Sequence, residues 1–454
     1  MRADGVCVDV ASLAPLSASV LAVYLSLLSS ERLAEAEARE NNRVYNTAVV
    51  VWLMIIQRLQ AEGSLETAVL ELPGLPTSFW PNPCKRRQPG AKPMSSNTGA
   101  YNQARQKLAV KVVQGLCDSL FEQLSAGTEG TLPPIGRRAF IFDGTTIRTA
   151  HTEALKRLYP PTSNQEGESH WPLIRMVVAH DVVTGLGMRP AWGAVNGLHA
   201  VSEQRLFEEA VERLPVLAVV IADANFGVFS VAYAAVQRNH PVVVRMTAVR
   251  AKSLLQGALS DGIDRRLDWR PTKADRKSHP DLPPEACIRG RLIVTLVQPS
   301  DGSTAFLLCL FTTLEEDKDE IVQLYGLRWN IETDLLNLKK TLRLAKLTCD
   351  TPQMVDKEIE VAMMSYNLVR AVIYRAAQQA GVDPRSFSFT RVCNVIKVYG
   401  PKIAAAKTEQ EANELIALMV YYIAQAKLYQ RKRPSYPREI WHSSKPFPRR
   451  KAKS

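Results

Sequence analysis

Two aspartates follow apolar runs that are typical of buried β-strands. In AFIFDGTT the run 139–142 leads to Asp143, and in VLAVVIADANFG the run 216–222 leads to Asp223. The carboxyl ends of buried strands meet at one edge of an open α/β sheet, where binding sites form. A third acid, Glu332, lies in a helical segment downstream. Together the three carboxylates could hold two Mg²⁺ or Mn²⁺ ions, which prefer oxygen ligands and support the hydrolysis and transfer of phosphodiesters.

Each of these acids, taken alone, also has an ordinary structural explanation. Asp-Gly starts many turns, so Asp143 could serve only the turn after its strand. Asp223 could cap the helix that follows it. Glu332 could form an i, i+4 ion pair with Arg328, which contributes about 0.3–0.5 kcal/mol on a helix surface. The metal-binding interpretation therefore depends on the three residues jointly.

The segment 324–346, LYGLRWNIETDLLNLKKTLRLAK, has the periodicity of a core-facing helix, with its leucines on one side. At about 100° per residue, a group of polar side chains falls within an arc of about 60° beside the apolar band. This polar stripe contains Tyr325, Arg328, Glu332 and Lys339, and a continuous helix would extend it to Arg343 and Lys346. Arginine can hold a phosphate through two donors, lysine acts as a point charge and tyrosine offers a hydroxyl. The stripe therefore predicts contacts with successive phosphates of a nucleic acid strand.

The charge of the chain favours the same kind of partner. The 454 residues are 46% hydrophobic and 22% charged, which is typical of globular protein, but the net charge of +12 suggests a polyanionic partner. Positions 427–454 contain ten Lys or Arg against one Glu, a net charge of +9. This tail is either a solvated extension or an arm that follows phosphates.

Several classes of protein are not indicated. The seven cysteines are scattered and never spaced as CxxC, which argues against a disulfide framework or a zinc ribbon and fits a reducing cytoplasm. Asp4 and Asp9 lie where a signal peptide would be basic, and the longest apolar stretches are too short or too interrupted to cross a membrane. No G-x-x-x-x-G-K-[ST] motif is present, so no nucleotide cofactor is expected.

The elements that must position the candidate residues change in character along the chain. Helices are predicted from the start to about residue 70 and over 99–125, with a basic, Pro-rich linker or DNA-contacting segment at 71–96. From residue 138, three strands, of which two form a hairpin, precede helix, strand, helix and strand. This order favours a mixed sheet covered by helices. Strand-like sequence then interrupts this order of strands and helices before the helical pattern returns. We predict that the strand-like sequence forms an inserted subdomain.

The spacing Tyr325-x2-Arg328-x3-Glu332-x6-Lys339 matches the YREK signature of the bacterial insertion-sequence-four family of DDE transposases. The chain also resembles that family in SSNTGAYNQARQKL of its N-terminal region, in the DGT context of Asp143 and in the DANFG segment after the second apolar strand. The resemblance extends over nearly the whole chain. It implies an α/β fold, with a ribonuclease-H-like mixed sheet core, a β-rich insertion, and flanking helical N- and C-terminal regions.

The resemblance also implies a division of the chain into regions. These are a helical N-terminal DNA-binding region with the basic linker (1–130), the first part of the catalytic core (131–248), the β-rich insertion (249–311), the second part of the core (312–375) and a helical C-terminal region with a basic tail (376–454). The N-terminal helices and the linker would recognise the DNA end, and the C-terminal helices would pair two copies of the chain.

Carried over residue by residue, the family implies that Asp143, Asp223 and Glu332 are catalytic and hold two Mg²⁺ or Mn²⁺ ions per active site. The polar stripe would contact DNA. Members of the family cut one strand by hydrolysis and then use the freed 3′-hydroxyl to attack the opposite strand, which makes a hairpin that is reopened before strand transfer. The implied partners are the inverted terminal repeats of an insertion sequence and a target DNA, bound by a homodimer in the cytoplasm at the bacterial nucleoid.

Three points remain open at this stage. A base near the DNA end is flipped and stacked on an aromatic side chain in this family, and Trp269 and Phe306 are the candidates here. Ala224 stands where many members carry a basic residue, so local phosphate contacts there could differ. The alternative functions are a structure-selective nuclease of the same fold and a catalytically silent DNA-binding regulator. The complete acidic triad with YREK spacing argues against the regulator.

Overall fold

The computed structural model describes residues 44–60, 63–75, 94–128, 130–164, 167–299, 304–404, 406 and 408–428. Three predictions from the sequence lie mainly outside these residues. They concern the helices before residue 44, most of the 71–96 linker and the basic tail after residue 428, and they stay predictions.

The helices begin and end as follows: α1 (Thr47–Leu59), α2 (Leu65–Leu70), α3 (Gly99–Lys107), α4 (Val110–Ala126), α5 (Glu153–Leu158), α6 (Glu203–Val211), α7 (Phe229–Val236), α8 (Ala248–Leu255), α9 (Lys273–Ser278), α10 (Lys318–Gly326), α11 (Asn330–Leu336), α12 (Pro352–Ala380), α13 (Phe389–Ala404) and α14 (Glu409–Ala424). Their boundaries follow local chemistry. The Thr351 side chain caps α12, whose first residue is a proline, and Gly381 ends it with a φ of 61°.

Among the described residues, nine strands form one sheet. The strands are β1 (Ala139–Arg148), β2 (Pro161–Asn164), β3 (Gly167–Asp181), β4 (Ala191–Ala194), β5 (Val219–Ala222), β6 (Val242–Arg245), β7 (Ile263–Trp269), β8 (Ile288–Val297) and β9 (Phe306–Thr312). Their order is β2-β3-β1-β5-β6-β9-β8-β7, and β4 pairs with β3. The neighbours β1, β5 and β6 are parallel, and the other pairs are antiparallel.

Alternate residues of the central strands pack into two cores, one on each face of the sheet. On one face, Ile141 and Ile221 contact a core that includes residues of α1, α4, α11 and α12. On the other face, Phe142 and Ala222 contact a core that includes α6 and α7. All four residues of β5 are buried, as expected for a parallel strand covered on both sides. Burial on both faces fixes the strand register, and the register in turn fixes the residues at the strand ends.

The predicted fold class is confirmed: a mixed sheet lies between helical layers in the ribonuclease-H-like order, with helices before and after it. The hairpin of β3 and β4 is also confirmed. The predicted insertion contains β7, β8 and β9, but it is not a separate layer, because β9 pairs with β6 and extends the central sheet. Without β9, the backbone N–H and C=O groups along one side of β6 would be unpaired, and β9 pairs with them by hydrogen bonds. No helix in the described part of the chain is long and apolar enough to cross a membrane.

Candidate catalytic site

Asp143 and Asp223 are neighbours at the edge of the sheet where the parallel pairing of β1 and β5 ends. The last register pair joins Phe142 to Ala222, so the two aspartates are the next residues on adjacent strands. Adjacent strands lie about 4.8 Å apart. Both side chains are partly buried. The predicted convergence of these two acids therefore follows directly from the register.

The environment of Asp143 disfavours a negative charge. Burial raises the pKa of this carboxyl to about 6, although the Gly144 N–H donates a hydrogen bond to Oδ1 at 2.7 Å. The negative charges of Asp223 and Glu203 raise its pKa further, and the positive charge of Arg328 lowers it. Two acids thus act on the Asp143 carboxyl at this edge, and a bound cation would favour its ionised form.

The segment that carries the YREK residues is not one regular helix. It begins as α10, tightens to a 3₁₀ turn at Leu327–Trp329, continues as α11 and widens to a π-helical turn at Asn337–Thr341. Turns of the π type are frequent at functional sites, because they shift the side chains that follow. In this segment the π-helical turn contains Lys339.

Tyr325 and Arg328 are both buried beside the acids. Arg328 is only 7% exposed, and its guanidinium lies 3.7 Å from the Glu332 carboxylate. Burial raises the pKa of Tyr325 to about 12, against the opposing charges of Arg328 and Arg245. The Tyr325 hydroxyl is buried, and the Arg328 guanidinium is the polar group beside it. The hydroxyl can also donate a hydrogen bond to a phosphate oxygen.

Lys339 is held against the strand that carries the first aspartate. Its Nζ donates a hydrogen bond to Oγ1 of Thr145 at 3.0 Å. Residues 143 and 145 of a strand point to the same face, about 7 Å apart. The ammonium group is therefore placed on the same face of β1 as the Asp143 carboxylate.

The predicted extension of the polar stripe to Arg343 and Lys346 is wrong, because the helix ends at Thr341. Arg343 has a left-handed backbone with a φ of 58°, and its guanidinium donates to the Gln57 carbonyl of α1. The Lys346 ammonium lies 4.0 Å from the centre of the Trp171 ring. Lys346 lies beside Arg148 at the far end of β1, about 16 Å along the strand from Asp143 at ~3.3 Å per residue. A contact of either residue with DNA stays a prediction.

In this conformation the Glu332 carboxylate does not join Asp143 and Asp223 as a third possible metal ligand. Its side chain is 55% exposed and is directed towards Arg328. Among the described residues, no three His, Cys, Asp or Glu side chains are close enough in this conformation to hold a metal ion. The structure thus brings Asp143 and Asp223 together and places the Glu332 helix α11 against β1, but leaves the third carboxylate outside the pair.

A buried ion network anchors the helix that carries Glu332. The Asp334 carboxylate, two residues further along α11, is fully buried and accepts hydrogen bonds from the guanidinium groups of Arg370 and Arg385. The Tyr366 hydroxyl donates to it at 2.8 Å. Burial alone would raise the pKa of Asp334, but the two arginines hold it well below its usual range. One face of α11 is therefore fixed to α12 and to the 3₁₀ turn at Pro384–Ser386, while Glu332 stays accessible.

Sequence reasoning missed two residues near the acids. Glu203 is the first residue of α6, and its charge acts on Asp143. Nothing in SEQRLFEEAV distinguishes it from an ordinary acid in the first turn of a helix. Arg245 ends the apolar strand β6, and its charge acts on the Tyr325 hydroxyl. The rule that identified the two aspartates, a polar residue at the end of a buried strand, could have found Arg245.

The two aromatic candidates have different surroundings. Trp269 is only 6% exposed and packs edge-on against Phe229 and Phe311, so its indole is a core side chain and is not available to stack on a base. Phe306 is 39% exposed, with the Arg245 guanidinium 5.7 Å from its ring centre. A third aromatic, Trp329, is 63% exposed and lies beside the Arg328 guanidinium.

The chain is similar to known proteins in sequence and in structure. Residues 134–368, just over half of the chain, match the family model described as the transposase DDE domain, and the matched range includes all three acids. Over 318 residues, the chain is 23% identical to Transposase InsG for insertion sequence element IS4 of Escherichia coli (strain K12), covering 68% of each chain. A cryo-EM structure of the piggyBac transposase synaptic complex with hairpin DNA aligns with 91% of this chain and 86% of its own, at 10% identity and a TM-score of 0.40.

The family model spans the strands that carry both aspartates and the helix that carries Glu332. The similarity to the insertion sequence element IS4 protein confirms the resemblance that the YREK spacing indicated. The chain therefore belongs to the DDE transposase family, whose members are metal-dependent enzymes that cleave DNA.

Proposed function

We propose that the protein is a cut-and-paste transposase that cleaves and joins the inverted-repeat ends of an insertion sequence. The observation that carries this proposal is the position of Asp143 and Asp223, which follow the last register pair of two parallel strands. Tyr325, Arg328 and Lys339 border the same edge with one hydroxyl and two cations. Paired acids beside phosphate-binding donors suit phosphodiester chemistry.

Asp143, Asp223 and Glu332 would hold Mg²⁺ or Mn²⁺, with two ions in each active site. The donors fit these ions, because all are carboxylate oxygens and the charges around Asp143 are mostly negative. Two such ions, when bound, supply Lewis-acid activation of the attacking oxygen and stabilise the leaving oxygen. For Glu332 to join the set, its side chain would have to leave Arg328, which it approaches only to 3.7 Å.

The cationic side chains would position the DNA strand. Arg328 can hold a phosphate through two donors once Glu332 turns away, and the neighbouring Tyr325 hydroxyl can donate to an oxygen of the same phosphate. Lys339 already points to the face of β1 that carries Asp143, so it can neutralise the next phosphate along the strand. The buried positions of Tyr325 and Arg328 reduce the conformational freedom that binding must remove.

The reaction would proceed through a hairpin. Hydrolysis breaks the bond between phosphorus and O3′ at the end of the element, which leaves a 3′-hydroxyl on the element and a 5′-phosphate on the flanking DNA. The 3′-hydroxyl then attacks the phosphodiester of the opposite strand, which closes the hairpin and releases the flank. A second water reopens the hairpin, and the regenerated 3′-hydroxyl attacks the target. No nucleotide hydrolysis is needed. Each transfer step replaces one phosphodiester bond by another, and each hydrolysis step consumes only water.

The active form would be a homodimer on two DNA ends, acting in the bacterial cytoplasm at the nucleoid. Exposed apolar side chains of α13 and α14 support a pairing surface at the C-terminal region; these are Val398, Leu418, Tyr421 and Tyr422. Exposed apolar groups of this kind are typical of surfaces that contact another protein.

Strand transfer tests the proposal. The terminal repeats can be identified as short inverted repeats that flank the coding gene, and a duplex that ends at the cleaved repeat is then incubated with the full-length protein, Mg²⁺ and a supercoiled plasmid. We expect the duplex to be joined to the plasmid by the parent protein and not by Asp223→Asn.

Nicking of the plasmid without joining would favour the structure-selective nuclease instead. Binding of the repeats without any cleavage, in Mg²⁺ and in Mn²⁺, would favour a catalytically silent regulator. Either result would contradict the proposed transposase.

A further inference from the structure

A cavity of about 500 Å³ lies between the N-terminal helices and the chain that follows the π-helical turn. Its walls come from α1, the start of α2, α3, α12 and the segment 343–351. Several polar side chains around it are exposed and form its rim; these are Ser64, Gln106, Lys346, Thr348 and Asp350. The cavity is therefore open to a ligand from solution, and its lining is separate from the edge that carries Asp143 and Asp223.

Two arginines in the wall of the cavity are almost fully buried. Arg58 of α1 is 8% exposed, and Arg105 of α3 is 7% exposed. Both guanidinium groups donate to the same carboxylate, Glu358 of α12, with Arg105 at 2.6 Å. One carboxylate balances only one of these two charges, and Lys346 and Asp350 on the rim are one cation and one acid. Because a buried charge is costly until it is paired, this wall favours the binding of an anion.

The same two arginines have hydrogen-bond donors that no described residue accepts. A guanidinium has five N–H donors in a planar fork. Arg58 donates to Glu358 and, at 3.5 Å, to the Leu342 carbonyl, whereas Arg105 donates to Glu358. The Nε–H groups of both arginines are buried and have no hydrogen-bond partner among the described residues. Buried donors are normally paired, and a phosphate offers several acceptor oxygens to a guanidinium fork.

A third guanidinium reaches this wall through an unusual backbone. Arg343 has a left-handed φ of 58°, which is uncommon for a residue with a side chain. Its guanidinium donates to the Gln57 carbonyl and packs on Gly63, where a Cβ atom would clash with it. Burial and the positive charge of Arg58 both lower the pKa of Arg343, although the charge of Glu358 raises it. A bound anion would favour the charged form of this guanidinium.

The cavity is close enough to the catalytic edge for one DNA molecule to reach both. Lys346 on its rim lies beside Arg148, about 16 Å along β1 from Asp143 at ~3.3 Å per residue. This distance is about half of one turn of B-DNA, which is ~34 Å long. A DNA end held at the two aspartates can therefore present a second backbone phosphate to the cavity.

We propose that this cavity binds one backbone phosphate of the DNA end. Arg58 and Arg105 hold the phosphate oxygens through their remaining donors. Arg343 and Lys346 add positive charge within the cavity and at its rim. The proposal rests on the proposed function, in which the substrate is DNA, and it assigns a specific ligand to the N-terminal helices. A free phosphate ion has the same chemistry, so the test must separate the two sources.

Methylphosphonate interference with the full-length protein tests this site. Duplexes that end at the cleaved terminal repeat are made with one phosphate replaced by a neutral methylphosphonate, and fluorescence anisotropy measures the affinity for each. We expect the parent to lose about tenfold in affinity at one position away from the cleaved bond, as for a lost hydrogen bond between charged groups. Arg105→Gln should bind the unmodified duplex about tenfold more weakly and should lose no further affinity at that position.

Two further variants make the result independent of folding. Arg105→Gln leaves Glu358 paired with Arg58, and denaturant unfolding checks its stability. Lys346→Gln changes an exposed side chain on the rim, and it should reduce the effect of the same methylphosphonate. Lys107→Gln, at an exposed position of α3 outside the cavity lining, is the matched control and should keep the interference pattern of the parent.

The possible failures of the site and of the proposed function differ. A parent protein that does not prefer the terminal repeat to an unrelated duplex would contradict the proposed function, and the site would fail with it. If the parent shows the preference but Arg105→Gln and Lys346→Gln keep its interference pattern, the site is refuted and the proposed function stands. Calorimetry with inorganic phosphate then identifies the source: binding by the parent and not by Arg105→Gln, with unchanged interference, would show that the cavity takes a free anion instead of DNA.

Discussion

Asp143 and Asp223 are the first residues beyond the final register pair, Phe142 with Ala222, of two adjacent parallel strands. A shift of one residue in this register would send one of the two carboxylates to the opposite face of the sheet. The strands themselves are held by burial on both faces. The hydrophobic core thus holds the two acids close together, and the negative charge of Asp223 raises the pKa of Asp143.

Glu332→Ala should abolish cleavage of the DNA end while leaving its binding nearly unchanged. The side chain is exposed and its ion pair with Arg328 is long, so its loss should hardly affect folding. A metal ligand, in contrast, supports several kcal/mol of transition-state stabilisation, and we expect the cleavage rate to fall by about 100-fold or more. Single-turnover cleavage and a gel-shift assay measure the two effects. Glu320→Ala, an exposed acid of α10, is the control, and equal cleavage by Glu332→Ala and the parent would refute the role of Glu332.

Arg328→Ala and Lys339→Ala should each reduce the salt dependence of binding to a cleaved end. Every phosphate that a cation neutralises adds about 0.7–0.9 to the slope of log affinity against log salt concentration. We expect each variant to lose roughly one such contact. Fluorescence anisotropy between low and moderate salt measures the slope. Lys340→Ala, at the exposed position next to Lys339, should change it less, and slopes equal to that of the parent in all three variants would exclude the phosphate contacts.

Asp334→Asn should destabilise the protein strongly, although Asp334 makes no contact with the predicted metal site. The substitution leaves Arg370 and Arg385 buried near one another without their shared carboxylate. Removal of one partner from a buried ion pair costs about 3–5 kcal/mol. Denaturant unfolding measures the loss, and Asp350→Asn, an exposed position, should change the free energy of unfolding little. A loss below about 1 kcal/mol for Asp334→Asn would contradict the anchoring role of the network.

Glu360 should make the stability of the protein depend on pH. Burial raises the pKa of this α12 carboxyl to about 8, although the Cys117 thiol beside it and the Arg189 guanidinium at 3.9 Å both lower that pKa. The folded state therefore retains a proton that the unfolded state releases near pH 4.5. Because the folded state binds more protons in that interval, the free energy of unfolding should fall as the pH rises from about 4.5 to 8.

Glu360→Gln tests this pH dependence, since the amide cannot ionise. Its free energy of unfolding, measured with denaturant between pH 5 and 9, should fall less steeply than that of the parent. The variant should be the more stable of the two above pH 8, where the parent must bury a charge. Parallel profiles for the two proteins would show that Glu360 does not carry the effect.

The sequence by itself determined the elements and the first two catalytic candidates. Apolar runs that lead to Asp143 and Asp223 identified two buried strands, because a strand covered on both faces has a continuous apolar sequence. The predicted end of the first strand was wrong, since β1 continues beyond Asp143 to Arg148 through its pairing with β3. The YREK spacing identified Tyr325, Arg328, Glu332 and Lys339. The alternation of strands and helices favoured the mixed sheet that the structure confirms.

Only the tertiary structure decided how far these patterns extend. A helical wheel assumes one continuous helix, but the chain turns after the π-helical turn, and Arg343 and Lys346 contact α1 and Trp171. The insertion became part of the central sheet through β9, and Trp269 became a core residue. Glu203 could not be found from spacing, since it lies 60 residues from Asp143 and approaches it only because Gly144 leaves room. Sequence periodicity predicts which face of a single helix or strand is buried. Contacts between elements depend on side-chain packing, which the sequence of one element does not specify.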